Sequence, residues 1–134
     1  MASSIHIGNA ENFQHTNRGW FVGAFLDDRH GPLKTNDIEL KWGHHPAGDH
    51  RHELSAAADT ASITVLISGR FRLDFPGQDP GAVILREQGD FVYFGPGVPH
   101  AWQAEAASVI LTVRWQPTGT VPANQRTAGA DANG

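Results

Sequence analysis

Short apolar runs, many of them alternating with polar residues, follow one another over residues 20–115, and no run keeps a helical period for three turns. Gly, Pro, Asp or Asn separates the runs, a pattern typical of a protein built from short strands. The predicted strands cover residues 20–26, 37–44, 62–68, 70–75, 82–85, 90–94 and 108–115. The pattern therefore predicts an all-β fold.

Turn sequences predict how some of these strands connect. Ser68-Gly69 joins two predicted strands, and glycine can adopt the positive φ that a tight reversal needs, so residues 62–75 are expected to form a hairpin. The segment PGQDPG at residues 76–81 predicts a second hairpin. Residues 46–61 contain few apolar side chains and are expected to form a long loop or a frayed strand.

The two ends of the chain differ from the middle. Residues 1–19 are interpreted as an N-terminal arm that could add a strand to the domain. Residues 118–134 are rich in Ala, Gly, Thr, Asn and Pro and are predicted to form a flexible tail. The domain itself is expected to occupy residues 20–117.

Composition narrows the classes of function. A chain of 134 residues with 40% hydrophobic and 18% charged residues is expected to form one domain with a packed core. A formal net charge of -4, without any run of Lys or Arg, argues against nucleic acid as a partner. No apolar stretch approaches the roughly 20 residues that span a bilayer, and the N-terminus lacks signal-peptide features. We therefore expect a soluble cytoplasmic protein with no membrane partner.

Histidine is the residue type that points to chemistry. Because the chain has no cysteine, nitrogen and oxygen atoms would have to hold any transition metal. His50 and His52 would project from one side of an extended segment, and His100 follows a Gly-Pro-Gly turn that reverses the chain. Three neutral imidazoles suit one divalent ion (Fe, Mn, Ni or Zn) and leave positions open for water or substrate.

The segment GDFVYFGPGVPH at residues 89–100 resembles the second motif of the cupin superfamily, G-x5-P-x-G-x2-H-x3-N. Gly89, Gly97 and His100 fall at the intervals of that motif. Gly95 stands at the position of its proline, and Ala104 at the position of its asparagine.

The first cupin motif, G-x5-H-x-H-x3-4-E-x6-G, is matched in part. His50 and His52 supply its H-x-H pair, and Gly69 supplies its closing glycine. Counting back from Gly69 puts Ser62 where the ligand glutamate stands, and the interval from His52 to Ser62 is longer than in the motif. The resemblance spans about residues 37–115. It implies a double-stranded β-helix (jelly-roll) barrel, often dimeric, with a pocket between its two sheets.

Alternation along the strands suggests further pocket residues. Ser62 and Thr64 would project inward and offer hydroxyls to a ligand. Trp102 would share the face of His100 and could stack on a flat ligand. Tyr93 offers a phenol that could donate a proton or a hydrogen bond, which makes it a catalytic candidate beside His100.

Two histidines follow one another in the strand IELKWGHH. Alternation places His44 on one face and His45 on the other, together with Glu39 and Lys41. We interpret the Glu39 and Lys41 face as a charged outer surface, so His44 is the better pocket candidate. A bend at Pro46 could instead turn His45 inward.

Two functions remain open. The first is a small metal-dependent enzyme of the oxygenase, isomerase or lyase type, with His50, His52 and His100 as ligands. The alternative is a metal-free cupin that binds a small ligand or does acid–base chemistry with His100. The resemblance and the difficulty of leaving sheet edges bare also predict a homodimer.

Overall fold

The computed structural model describes residues 5–117, and two antiparallel sheets face each other across its interior. The strands of these residues, in chain order, are β1 (Trp20–Val22), β2 (Ile38–His45), β3 (His50–Ser55), β4 (Ala61–Ser68), β5 (Phe71–Asp74), β6 (Ala82–Leu85), β7 (Phe91–Phe94), β8 (His100–Ala104) and β9 (Ser108–Trp115). The first sheet has the order β1-β2-β9-β4-β7, and the second has the order β3-β8-β5-β6. This architecture confirms the predicted all-β jelly-roll barrel.

Short helices precede and follow the first strand. A 3-10 helix (Ala10–Phe13) leads into a single α-helical turn, α1 (Gln14–Asn17), and another 3-10 helix covers Asp28–Leu33. Within residues 5–19 the chain is thus helical where it is regular, and the additional strand considered for the N-terminal arm is not formed there. The predicted tail at residues 118–134 lies outside the described residues. No helix within residues 5–117 is both long enough and apolar enough to cross a membrane.

The chain connections correct one predicted hairpin and confirm the other. β4 belongs to the first sheet and β5 to the second, so the chain crosses between the sheets at Gly69 instead of folding back on itself. β5 and β6 do form an antiparallel hairpin across residues 76–81. Residues 46–61, predicted to form a long loop or a frayed strand, contain β3, which pairs with β8 in the second sheet.

The buried core lies between the two sheets. Its fully or nearly fully buried members are Leu66, Phe71, Leu73, Phe75, Leu85, Ala104 and Ile110. They come from inward positions of the two sheets, as period-2 alternation requires. Toward one side of this core the inward side chains become polar, and that change defines the candidate site.

Candidate functional site

A pocket of about 130 Å³ lies between the two sheets, beside the apolar core. Three core side chains, Phe71, Leu73 and Ile110, form part of its wall. The rest of the wall carries cations, hydroxyls and two imidazoles. The space suffices for a few water molecules or one small organic molecule.

The first sheet contributes two rows of polar side chains to the pocket. In one row Lys41 on β2 pairs with Thr112 on β9, which pairs with Thr64 on β4. In the next row Arg114 on β9 pairs with Ser62 on β4. All five residues line the pocket, and Ser62 and Thr64 are buried, each only 4% exposed.

The second sheet contributes Arg51, Ser55, His100 and Trp102. The register places Arg51 opposite Trp102, and Ser55 opposite His100. The Arg51 guanidinium also donates a hydrogen bond of 3.2 Å to the His100 carbonyl oxygen. This bond holds β3 against β8, the strand that carries His100.

His100 lines the pocket, and one of its ring nitrogens contacts the backbone. Its Nδ1 is 3.1 Å from the Val98 carbonyl oxygen, and its ring centroid is 4.5 Å from that of Phe94. Burial lowers the pKa of His100, and the charges of Arg51 and Arg114 lower it further, against the opposing effect of the Val98 carbonyl. In the neutral ring Nδ1 donates to that carbonyl, so the remaining polar atom, Nε2, is an unprotonated acceptor.

His45 has a similar arrangement on the opposite sheet. Its Nδ1 lies 2.8 Å from the Asp49 carboxylate, and its ring is 4.5 Å from the Trp102 ring. Burial lowers the pKa of His45, although Asp49 acts in the other direction. The neutral ring therefore donates from Nδ1 to Asp49 and keeps an unprotonated Nε2.

His50 and His52, the other two predicted metal ligands, are not brought together with His100. Both side chains are exposed, and their rings stack on each other with centroids 4.0 Å apart. The register explains this, because Arg51 between them faces the pocket while His50 lies opposite the exposed Gln103. Among residues 5–117 no group of three or more His, Asp or Glu side chains could hold a metal ion. The described residues therefore do not fit the predicted three-histidine site.

Three other placements differ from the sequence predictions. His44 points away from the pocket, where its Nε2 lies 2.6 Å from the Glu11 carboxylate, and His45 is the inward residue instead. Lys41 was predicted to face outward but lines the pocket. Tyr93 is 46% exposed and does not line this pocket, because the pairing of β4 with β7 turns its neighbour Phe94 inward.

Ser62, Thr64 and Trp102 line the pocket, where alternation placed them. Trp102 stacks on Phe71 with ring centroids 5.3 Å apart, so part of its surface is committed to the core. What these three side chains do for a ligand stays a prediction.

The pocket cations are the functional candidates that the sequence did not reveal. Glu39 pairs with Arg114 at 2.8 Å, whereas Lys41 and Arg51 have no ion pair within residues 5–117. Trp20 lies against two of the cations: the Arg114 guanidinium carbon is 4.2 Å from its ring centroid, and the Lys41 Nζ is 5.6 Å away. Both distances are in the range of cation–π contacts.

One sequence signal could have directed attention to this face of β2. Gly43 interrupts the strand between Lys41 and His45, and a glycine inside a strand often marks a close approach. A Cβ built on Gly43 would lie 3.1 Å from the His45 Nε2 and 3.2 Å from Ile110. The missing side chain thus makes room for an inward histidine.

Comparisons with known proteins support the architecture. The protein-family models and the curated sequences yield no match. Among solved structures, a cupin protein from Bacteroides fragilis is similar with a TM-score of 0.56 and 19% identity, covering 76% of this chain and 81% of that one. KdgF from Halomonas sp. has a TM-score of 0.53 and 15% identity, with 66% and 78% covered. The DMSP lyase DddQ from Ruegeria pomeroyi DSS-3 has a TM-score of 0.52 and 19% identity, with 63% and 40% covered.

The chain is therefore a two-sheet jelly-roll barrel with a polar pocket between its sheets. Within that class it has the cupin fold, as the motif at residues 89–100 predicted.

Proposed function

We propose that the chain binds a small organic molecule in the pocket and transfers a proton to or from it with His100, without a metal ion. The observation that carries this proposal is the environment of His100. Its Nδ1 is engaged by the Val98 carbonyl, and burial favours the neutral ring, so Nε2 is available as a base near neutral pH. His45, oriented by Asp49, is a second proton acceptor in the same pocket.

The charge of the lining also favours a metal-free reaction. Lys41, Arg51 and Arg114 all line the space, and no Asp or Glu is among its lining residues within the described part of the chain. Positive side chains repel a divalent cation, and the interior screens that repulsion less than water does. Cations, hydroxyls and neutral imidazoles are better suited to a polar organic ligand.

Matched histidine substitutions test the role of His100. A small-molecule screen by thermal shift would first provide ligands, and NMR would then follow exchange of solvent deuterium into their carbon-bound hydrogens. We expect His100→Gln to slow this exchange by about a hundredfold, a typical contribution of general base catalysis. His50→Gln and His52→Gln, on the exposed face, are expected to leave the rate unchanged. Equal losses in all three variants would contradict the proposal.

The metal-dependent alternative that the sequence left open can be tested separately. Protein purified without a histidine tag would be analysed for bound metal, both as isolated and after incubation with Fe, Mn, Ni or Zn. Binding of one equivalent that is lost in His50→Gln and His100→Gln alike would restore the metal-dependent alternative. Near-zero metal after every incubation is the result expected here.

A further inference from the structure

We propose that the pocket is built for an organic anion, and that its ligand is a small carboxylic acid held through its carboxylate by Lys41 and Arg51. This inference deepens the proposed function, because it assigns the chemical class of the molecule on which His100 would act. It depends on the cations of the pocket and not on the histidines.

Positive charge predominates in the pocket inside the barrel. Lys41, Arg51 and Arg114 line the same small space, and Arg114 alone of the three has a carboxylate partner within residues 5–117, namely Glu39. Asp49, whose charge acts on Lys41, does not line the pocket and is bound to His45. Lys41 and Arg51 therefore line the pocket without an ion pair within residues 5–117.

Burial and neighbouring charges disfavour the charged forms of Lys41 and Arg51. Burial lowers the pKa of Lys41, and the charges of Arg18, Arg114 and Arg51 lower it further, against the opposing effect of Asp49. Burial also lowers the pKa of Arg51, against the opposing effect of Glu53. Charged groups are rarely kept in such surroundings without a partner, because desolvation is costly. A bound anion would offset both the desolvation and the repulsion.

Several buried polar atoms of pocket-lining residues have no hydrogen-bond partner within residues 5–117. The Nε atoms of Arg51 and Arg114 and the Oγ1 of Thr60 are buried and have no hydrogen-bond partner in the described part of the chain. All three residues line the pocket. Buried polar atoms in folded proteins normally have partners, so a cluster of such atoms around one cavity indicates that something polar completes it.

The shape of the lining favours a carboxylate that carries a carbon skeleton. Thr64 and Thr112 stand beside Lys41 in the register and can donate to a carboxylate oxygen. Phe71 and Leu73 on the second sheet and Ile110 on the first also line the pocket and suit carbon atoms. A space of about 130 Å³ limits the ligand to a small molecule.

The test compares carboxylates with uncharged analogues of the same shape. Isothermal titration calorimetry and thermal shift on the full chain would use lactate, pyruvate, succinate and benzoate, the amides lactamide and benzamide, and inorganic phosphate. We expect at least one carboxylate to bind and to raise the Tm, while its amide does neither. Equal binding of acid and amide would overturn the inference, as would binding of phosphate without any carboxylate.

Two charge-removing variants locate the site. Lys41→Met and Arg51→Met keep side-chain length, and each should weaken carboxylate binding by about tenfold or more, because each removes a charge-assisted hydrogen bond. Lys34→Met and Arg29→Met are the matched controls, since these cations lie outside the pocket and pair with Asp28 and Asp27. Undiminished carboxylate binding in both pocket variants would overturn the assignment.

The Tm distinguishes a variant that has lost the binding site from a variant that no longer folds. Removing a repelled, partly desolvated ammonium should raise the Tm of unliganded Lys41→Met while abolishing its response to carboxylate. A lowered Tm in that variant would contradict the argument from repulsion. If deuterium exchange depends on His100 but carboxylates are not preferred as ligands, only the present inference is overturned. If carboxylate binding depends on Lys41 but exchange does not depend on His100, only the proposed function is overturned.

Discussion

At the scale of single residues, the pocket histidines show how burial and one hydrogen bond select a chemical state. His45 donates from Nδ1 to a carboxylate, and His100 donates from Nδ1 to a backbone carbonyl. Burial lowers the pKa of both rings. The same physics that prepares two bases therefore also links the stability of the fold to pH.

The stability of the protein is expected to fall as the pH drops below about 6.5. A histidine with a lowered pKa in the folded state binds its proton at higher pH in the unfolded chain, so stability is complete above the unfolded value and decreases through the window below it. Asp49, Lys41 and His44 act on His45, and Arg51, Arg114 and the Val98 carbonyl act on His100. Each histidine can contribute at most about 1.4 kcal/mol per pH unit.

Urea unfolding between pH 5 and 8 measures this dependence. The double variant His45→Gln and His100→Gln should lose a clear part of the slope of unfolding free energy against pH. His52→Gln, at an exposed position of β3, serves as the control and should keep the parent slope. An unchanged slope in the double variant would show that neither ring is held neutral by the fold.

Gly43 supports the inward position of His45, and replacing it should be harmful. Alanine at this position would push on His45 Nε2 and on the buried Ile110, so Gly43→Ala should lower the unfolding free energy by about 1–3 kcal/mol. In Gly81→Ala the nearest atom is the Gln78 carbonyl oxygen at an ordinary 3.5 Å, and that control should be neutral or slightly stabilising. Equal stability of the two variants would contradict the close packing at Gly43.

At the scale of strands, alternation predicted which residues share a face, but on β2 and β9 it did not predict which face is inside. The β9 residues Ile110, Thr112 and Arg114 alternate with Leu111, Val113 and Trp115. In an ordinary barrel the second set would be interior, yet the first set lines the pocket. The two faces of β2 were reversed for the same reason. A strand beside a polar pocket carries its polar side chains inward, and no local pattern distinguishes it from a strand beside solvent.

The same limit explains how much of the candidate site was predicted. Strands β6 and β9 agree with their predicted bounds, because each is a continuous β-rich run between turn residues. β3 was predicted only as part of a long loop or frayed strand, because His50–Ser55 contains a single aliphatic side chain, Leu54, and it is β through pairing with β8. The H-x-H pattern predicted that His50 and His52 share one face of an extended segment, but it did not fix the register and so did not show which face is inward. The inward residue there is Arg51, between the two histidines.

Gly69 makes the crossing between the sheets possible, and its replacement should be costly. Its φ is +98°, and a Cβ there would lie 2.3 Å from the Ala107 carbonyl oxygen and near Ser108. We expect Gly69→Ala to lower the unfolding free energy by about 3 kcal/mol or more, since it combines backbone strain with a clash.

Gly77 is a matched control for Gly69, because its φ is +80° with no atom within 4 Å of a built Cβ. Gly77→Ala should show the backbone strain alone, about 1–2 kcal/mol. Urea unfolding of the two variants at one pH compares them directly. Similar losses in both would mean that the contact with Ala107 does not constrain the crossing.

At the scale of the whole molecule, the first sheet has an apolar outer face, although polar side chains line the pocket on part of its inner face. Outward positions in adjacent strands form two rows: Leu40, Val113, Ile63 and Tyr93, and Trp42, Leu111, Val65 and Phe91. Residues 11 and 14 cover the β2 end of this face through contacts with His44 and Trp42. At the other end Phe91 is 63% exposed and Tyr93 is 46% exposed. Large apolar side chains grouped in this way are typical of a protein interface.

The predicted homodimer would cover the β7 end of that face. Two copies packed through it could each bury surface on the order of 800 Å², the usual amount for a stable complex. Light scattering over a range of concentrations should give twice the chain mass for the parent protein, and Phe91→Glu should shift it toward the monomer. Leu54→Glu, an equally drastic change at a 55% exposed position on the opposite sheet, should leave the mass unchanged. A parent protein that is monomeric at every concentration would contradict the predicted dimer. The outer face of the first sheet would then not be covered by a second copy of the chain.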